Sequence, residues 1–153
     1  MHISRRALLG ATAASIALAA CTRTTPGGEL NALLDRASTD FLRESPEYCT
    51  SLAVSEEKAG GRYMDRLSDA SKEGFLRQRA IGERILTEMN ALKHDQLSGQ
   101  DAVSFEVVKT ALENNLAAAA FEVGGGATAP YILSQLTGAY NGIPDFLASQ
   151  HQV

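Results

Sequence analysis

Apolar residues recur at helical spacing through most of this chain and almost never alternate. Leu30, Leu33, Leu34, Ala37 and Phe41 form one stripe while Asp35, Arg36 and Asp40 fall off it, so residues 29–44 are expected to form an amphipathic helix. Ser45-Pro46 restarts the chain, because serine accepts a bond from a free N–H and proline tolerates the first helical position. That predicts a short helix to about Val54, with Tyr48, Leu52 and Ala53 on its apolar side. Ser55 to Gly61 is polar, ends in two glycines and predicts a loop toward Leu67.

The second half of the pattern is longer in period. Phe75, Gly82 and Met89 share a seven-residue repeat with Gln78, Ile85 and Leu92 alongside, which predicts a helix over 72–93 with Ser68, Asp69 or Ser71 as its N-cap. Gly74 and Gly82 weaken such a helix by about 1 kcal/mol each relative to alanine, so packing must hold it, and Gly82 suits a close helix contact. Leu97-Ser98-Gly99-Gln100-Asp101 has the form of a capping box, Ser98 reaching forward and Asp101 back. Val103, Phe105, Val108, Leu112, Leu116 and Ala119 then give a broad apolar face to about Val123, where Gly124-Gly125-Gly126 stops the helix. Two long helices with a short link predict an antiparallel helical hairpin. Alternation is confined to Tyr131–Leu133, so the fold class is all-α. The tail turns at Gly138 and Asn141-Gly142 and starts a last helix at Pro144-Asp145, which has no glycine cap or cationic final turn.

The first 21 residues follow a different logic. Ser4-Arg5-Arg6 precedes an uncharged run from Ala7 to Ala20, and Leu18-Ala19-Ala20 stands directly before Cys21. The run of 14 residues is short of the roughly 20 that a bilayer-crossing helix needs. A basic end, an apolar segment and small residues before a cleavage point make an export signal over residues 1–20. Leu-Ala-Ala-Cys resembles the lipobox of bacterial lipoproteins, which implies that Cys21 is lipidated and becomes the mature N-terminus. Arg5 and Arg6 resemble the twin-arginine signal, with Gly10 where that signal often has lysine; the general secretory route also accepts arginines ahead of an apolar run. Thr22 after the cysteine leaves either membrane of the cell envelope open, on the periplasmic side. Residues 21–28, rich in threonine, glycine and proline, are expected to be a lipidated flexible tether.

Charge narrows the partners. Loss of residues 1–20 removes Arg5 and Arg6 and no acids, leaving 12 basic against 18 acidic groups, a net −6 over 133 residues. That balance, without a basic cluster, argues against nucleic acid. Length suits one domain with its own core. With Cys21 acylated, Cys49 has no disulfide partner and reads as a small apolar residue. His94 and His151 are isolated in sequence, so no catalytic or metal-binding residue is assigned. Asp65, Asp69 and Glu73 share helical spacing among Arg66, Lys72 and Arg77, and are expected to be a solvated charged face.

Three segments carry a family likeness. Residues 130–151 (Pro-Tyr-Ile-Leu-Ser-Gln-Leu-Thr-Gly-Ala-Tyr-Asn-Gly-Ile-Pro-Asp-Phe-Leu-Ala-Ser-Gln-His) resemble the bacterial family called domain of unknown function 885. Ser45-Pro46-Glu47 with Thr50-Ser51-Leu52, and Leu97–Asp101 with Phe105-Glu106-Val107-Val108, resemble its earlier segments in the same order. After Leu52 the chain departs from the family's glycine-containing stretch with Ala53-Val54-Ser55-Glu56-Glu57. The resemblance implies that residues 29–153 are the helical N-terminal portion of a larger, exported domain, truncated before its chemistry. Later parts of such proteins carry a His-Glu motif similar to zinc peptidases, so zinc and a peptide substrate are implied for full-length members only. None of those positions exists here.

Ser134, Gln135, Tyr140 and Asn141 are the weak candidates for facing a substrate, as polar groups on a loop-rich segment beside the glycine triplet. They are also ordinary turn and core-edge residues. Gly124–Gly126 lacks the lysine and serine or threonine of a phosphate loop and follows a helix, so it reads as a helix stop. Two functions are carried forward: the lipid-anchored front of a zinc-peptidase-like protein, partnered by the missing remainder of its domain and inactive alone, or a self-sufficient helical envelope lipoprotein acting as an interaction module.

Overall fold

Thr25 opens the first helix: its Oγ1 accepts the Gly28 N–H at 3.1 Å and Pro26 takes the first helical position. α1 (Pro26–Arg43) therefore takes in Pro26, Gly27 and Gly28, which composition alone had placed in the tether. The computed structural model describes residues 25–121, 124–126, 129–131, 135 and 138–151, with side chains for all but 124–126 and 129–131. The expected export signal, with Arg5 and Arg6, and Cys21, expected to be lipidated, lie outside the described residues. α1 buries Leu30, Leu33 and Ala37 from the expected stripe and leaves Phe41 exposed near its end.

α2 (Pro46–Ser51) turns a different side inward than the pattern implied. Pro46 and Cys49 are buried, while Tyr48, Leu52 and Ala53 face solvent. Six residues are too few to impose an amphipathic face of their own, so the ends decide the orientation. Ser45 makes no side-chain cap. The far end is a Schellman motif: the Val54 N–H bonds the Cys49 carbonyl at 2.9 Å and the Ala53 N–H the Thr50 carbonyl at 3.1 Å. Val54 packs against Cys49, the hydrophobic contact that accompanies this motif. Ala53 holds the left-handed position (φ 50°) usually given to glycine. Cys49, Ala59 and Tyr63 then form a small satellite core, closed by the Tyr63 hydroxyl donating to the Val54 carbonyl.

α3 (Lys72–Ala91) starts at Ser71, whose Oγ accepts the Gly74 N–H at 3.2 Å. Its repeat puts Gly82, Ile85 and Met89 inside, as expected. A 3₁₀ turn at His94–Gln96 leads to α4 (Gly99–Ala119). The main core joins Leu30, Leu33 and Ala37 of α1, Ile85 and Met89 of α3, and Phe105 and Leu112 of α4. Gly82 lies against Leu112 and Leu116, whereas His94, beyond the other end of α3, stacks on Phe105. The pairings thus run in opposite order along the two helices.

The capping box at α4 does not form. Ser98 makes no side-chain cap, because Gly99 enters the helix with φ 57° and swings the chain away from the orphan N–H groups. Asp101 is used elsewhere: its Oδ1 accepts Asn31 Nδ2 at 3.3 Å, tying the start of α4 to the start of α1. α4 ends at Ala119, before the expected Val123, and Gly124–Gly126 pairs antiparallel with Ala129–Tyr131 (β1 and β2) instead of merely ending the helix. Glycine has no strand preference to betray this ladder. Among the described residues the other regular elements are helices, an all-α fold.

α5 (Ala139–Ser149) begins five residues ahead of Pro144, which lies inside it. Gly138 caps it without a side chain, and the Asn141 N–H bonds the Gly138 carbonyl at 2.9 Å. Its far end is held by tertiary bonds: the Ser51 hydroxyl donates to Gln150 Oε1, and His151 Nε2 donates to the Met64 carbonyl at 2.9 Å.

Ala53→Gly removes the left-handed strain of an L-residue and is expected to raise stability by about 1 kcal/mol. Gly74→Ala, whose Cβ would stand 2.0 Å from the Asp69 carbonyl oxygen, is expected to lower it by about 1–3 kcal/mol. Urea unfolding of the two variants, followed by circular dichroism, checks both signs.

Candidate functional site

The tail candidates do not assemble a site. Tyr140 and Asn141 sit in the first turn of α5 rather than on a loop, both exposed, and Gln135 is an exposed turn residue. Ser134 lies outside the described residues. The helix reaches them because Gly138, not Pro144, supplies the break in the chain.

The described cysteine and histidines outside the tail candidates are engaged by the fold. Cys49 is fully buried, its Sγ–H donates to the Leu42 carbonyl at 3.3 Å, and burial pushes the thiol above its ordinary range. A thiol so placed is inert, as its reading as a small apolar residue implied. His94 stacks face to face on Phe105 with ring centroids 5.5 Å apart. His151 meets Phe146 edge-on at 5.9 Å, and its Nε2 must carry hydrogen, since a carbonyl only accepts. Among the described residues no hydrogen bond joins Cys49 to His151, and no group of three or more His, Cys, Asp or Glu converges.

Ion pairs hold the segments around these groups. Asp40 Oδ2 meets Arg84 at 2.5 Å, Arg84 meets Glu88 at 2.9 Å, and Glu88 meets Arg36 at 3.0 Å, a seam between α1 and α3. Arg36 and then Arg84 draw the Glu88 carboxyl below its usual value. Lys58 bonds Asp35 at 2.8 Å and lowers it likewise. Asp65, Asp69 and Glu73 do not share a helical face, because the first two precede α3. Asp65 pairs with Arg62 at 3.2 Å; Asp69 pairs with Arg77 at 2.7 Å and accepts the Ser71 N–H at 2.9 Å. Ser71 first, and Arg77 after it, bring Asp69 down to about 2. Glu47, in the Ser-Pro-Glu segment, takes the Ser68 N–H at 2.9 Å on one oxygen and the Ser68 hydroxyl on the other, pinning the approach to α3. Nothing in the local spacing of Glu47 signals this, since its partner lies 21 residues on.

One apolar hollow remains. Phe41 at the end of α1, Phe75 and Gly82 of α3, and Leu112, Leu116 and Ala119 of α4 line a groove of about 250 Å³, rimmed by Gln78, Arg79 and Asn115. The missing side chain at Gly82 opens its floor, yet a Cβ there would stand 3.6 Å from Leu116 and 3.8 Å from Leu112, in ordinary contact. Gly82 does sit at a helix contact, and an alanine there would also fit. A second, shallow hollow of about 320 Å³ is lined by Asp35, Arg36, Thr39, Asp40 and Lys58, whose charges are paired with one another or with α3. Among the described residues no helix is long and apolar enough to cross a membrane. No family model matches the chain, and neither does any curated protein or solved structure.

The pH response follows from the lowered carboxyls. A folded-state pKa below the unfolded one contributes stability that is present above the unfolded value and is lost as pH falls through the folded value. For Asp69 that window runs from its ordinary 3.8 down to about 2. The unfolding temperature is expected to fall between about pH 4 and pH 2, and Asp69→Asn to make that fall shallower. Equal slopes in the two proteins would show that Asp69 takes no part.

Proposed function

We propose that this chain is exported, lipidated at Cys21 and held on the periplasmic side of a bacterial cell envelope as the helical N-terminal portion of a protein similar to the domain of unknown function 885. The observation that carries the address is the order Ser4-Arg5-Arg6, the uncharged run Ala7–Ala20, and Leu18-Ala19-Ala20-Cys21. Each feature answers one step of export: arginines for the exporter, an apolar segment for insertion, small residues for the peptidase, a thiol for the lipid. The three-segment family likeness supports the rest. In that arrangement zinc and peptide belong to the remainder of the larger domain, and this portion packs against it without doing chemistry.

The second reading, a self-sufficient envelope module, has an observation in its favour. Among the described residues no buried side-chain polar atom lacks a hydrogen-bond partner, and the three-helix core is fully buried at Leu30, Ile85 and Met89. A single sharp unfolding transition and a monodisperse species favour this module; aggregation through uncovered faces favours the portion of a larger domain.

In cells fed a labelled fatty acid, the wild-type chain is expected to incorporate lipid and run as a processed form. Cys21→Ala should carry no label and accumulate as precursor; lipid on that variant overturns the anchoring. Incubated with zinc and a mixed peptide library, the purified processed chain is expected to cleave nothing, and metal-dependent cleavage overturns the non-catalytic role.

A further inference from the structure

α4 has two apolar sides. Phe105 and Leu112 face the core with Val108 packed against it, and on the opposite side Val103, Val107, Ala111, Ala118 and Phe121 follow one another at steps of four, four, seven and three residues along the helix and its last turn. Val103 is 55% exposed, Val107 62% and Phe121 79%. Thr110 and Asn114 fill the gaps, so this side carries no Asp, Glu, Lys or Arg over about 27 Å. Elsewhere the surface is densely charged, with 18 acidic and 12 basic groups in the processed chain. A long uncharged strip on such a surface marks a face that meets something apolar.

The fold also says where this face lies. The Asn31–Asp101 bond sets the start of α4 beside the start of α1, and Gly27 is so close to Asp101 that a Cβ there would come within 2.1 Å of its carboxylate. Thr25, which caps α1, is four peptide steps from Cys21, a reach of at most about 14 Å. The valines at 103 and 107 follow Asp101 directly, on the end of the bundle that the anchor holds.

We propose that the outer face of α4 lies on the bilayer surface, Val103, Val107 and Phe121 seated among the headgroups and upper acyl chains, so that the bundle lies flat beside its own anchor. The proposal rests on lipidation of Cys21. The surface it fits is a zwitterionic lipid bilayer: a strip without cations gains nothing from anionic lipid, and the net −6 of the processed chain is repelled by it. Single valines bind a membrane weakly, but the anchor raises their local concentration and makes the second contact intramolecular.

The chain has no tryptophan, so Val107→Trp introduces a unique reporter at an exposed position. Residues 21–153 of this variant are coupled through Cys21 to a maleimide lipid in phosphatidylcholine vesicles; burial of Cys49 directs the maleimide to Cys21. The expected result is a shift of emission to shorter wavelength and loss of most of the signal to brominated phosphatidylcholine. Leu76→Trp, exposed on α3 and outside the α4 face, should show neither. Adding Val103→Glu to Val107→Trp should reverse the shift. Trp at 107 that stays solvent-like and unquenched on the vesicles overturns the proposal. So does a shift that appears without vesicles and grows with protein concentration, which would give the face to a second copy. Because the anchor is installed chemically, this outcome is separate from whether cells lipidate Cys21.

Discussion

Ile85 and Met89 are wedged between two helices that do not follow one another in the chain. Leu30, Leu33 and Ala37 close on them from α1, Phe105 and Leu112 from α4, and both side chains are wholly removed from water. Burying side chains of this size stabilises by about 1.5–3 kcal/mol each, and truncating one in a packed site costs about 2–5 kcal/mol, comparable to the net stability of a small domain. α3 carries two interior glycines and cannot rely on propensity, so it is helical because this contact holds it. The ends of the other helices, the turn at His94–Gln96 and the satellite core are positioned by what this wedge fixes.

Polar contacts set register rather than supply the stability. The seam Asp40–Arg84–Glu88–Arg36 is exposed, and pairs of that kind are worth about 0–1 kcal/mol. Its value is geometric: Arg36 and Asp40 are one turn apart on α1, as Glu88 and Arg84 are on α3, so a slip of either helix breaks both interhelical pairs together. Asn31–Asp101 does the same between α1 and α4. Glu47 and His151 extend the device to segments without much core, fastening the approach to α3 and the end of α5.

The long stripes were legible because burial there follows the helix period: Leu30, Leu33 and Ala37, or Gly82, Ile85 and Met89, each turn one side inward over several turns. What misled was local chemistry whose partner is distant or absent. Ser98 and Asp101 have capping-box spacing, but Gly99 redirects the entry and Asn31 competes for the carboxylate from 70 residues away. Tyr48 and Leu52 look like an apolar face, yet in a six-residue helix the Schellman bonds to Cys49 and Thr50 choose which side turns in. The turn signals at Asn141-Gly142 were overruled by a helix that begins at Ala139. Of the tail candidates, the structure gives Gln135, Tyr140 and Asn141 exposed positions without convergence, which no reading of residue types could have supplied.

α4 shows how a stripe can be right and still incomplete. Its core face accounts for Phe105, Val108 and Leu112, and a helix that needed only that face would place charges opposite, as α1 does with Asp35. Instead the opposite side is valine, alanine and phenylalanine with Thr110 and Asn114, so the helix has two apolar sides, with Glu106, Lys109 and Glu113 on a flank between them. Leaving Phe121 and two valines in water offers the fold nothing, and it raises the risk of association. The uncharged outer face is therefore a requirement from outside the bundle. The bonds that seat α4 beside the start of α1 bring the first residues of that face close to Thr25, four residues after Cys21.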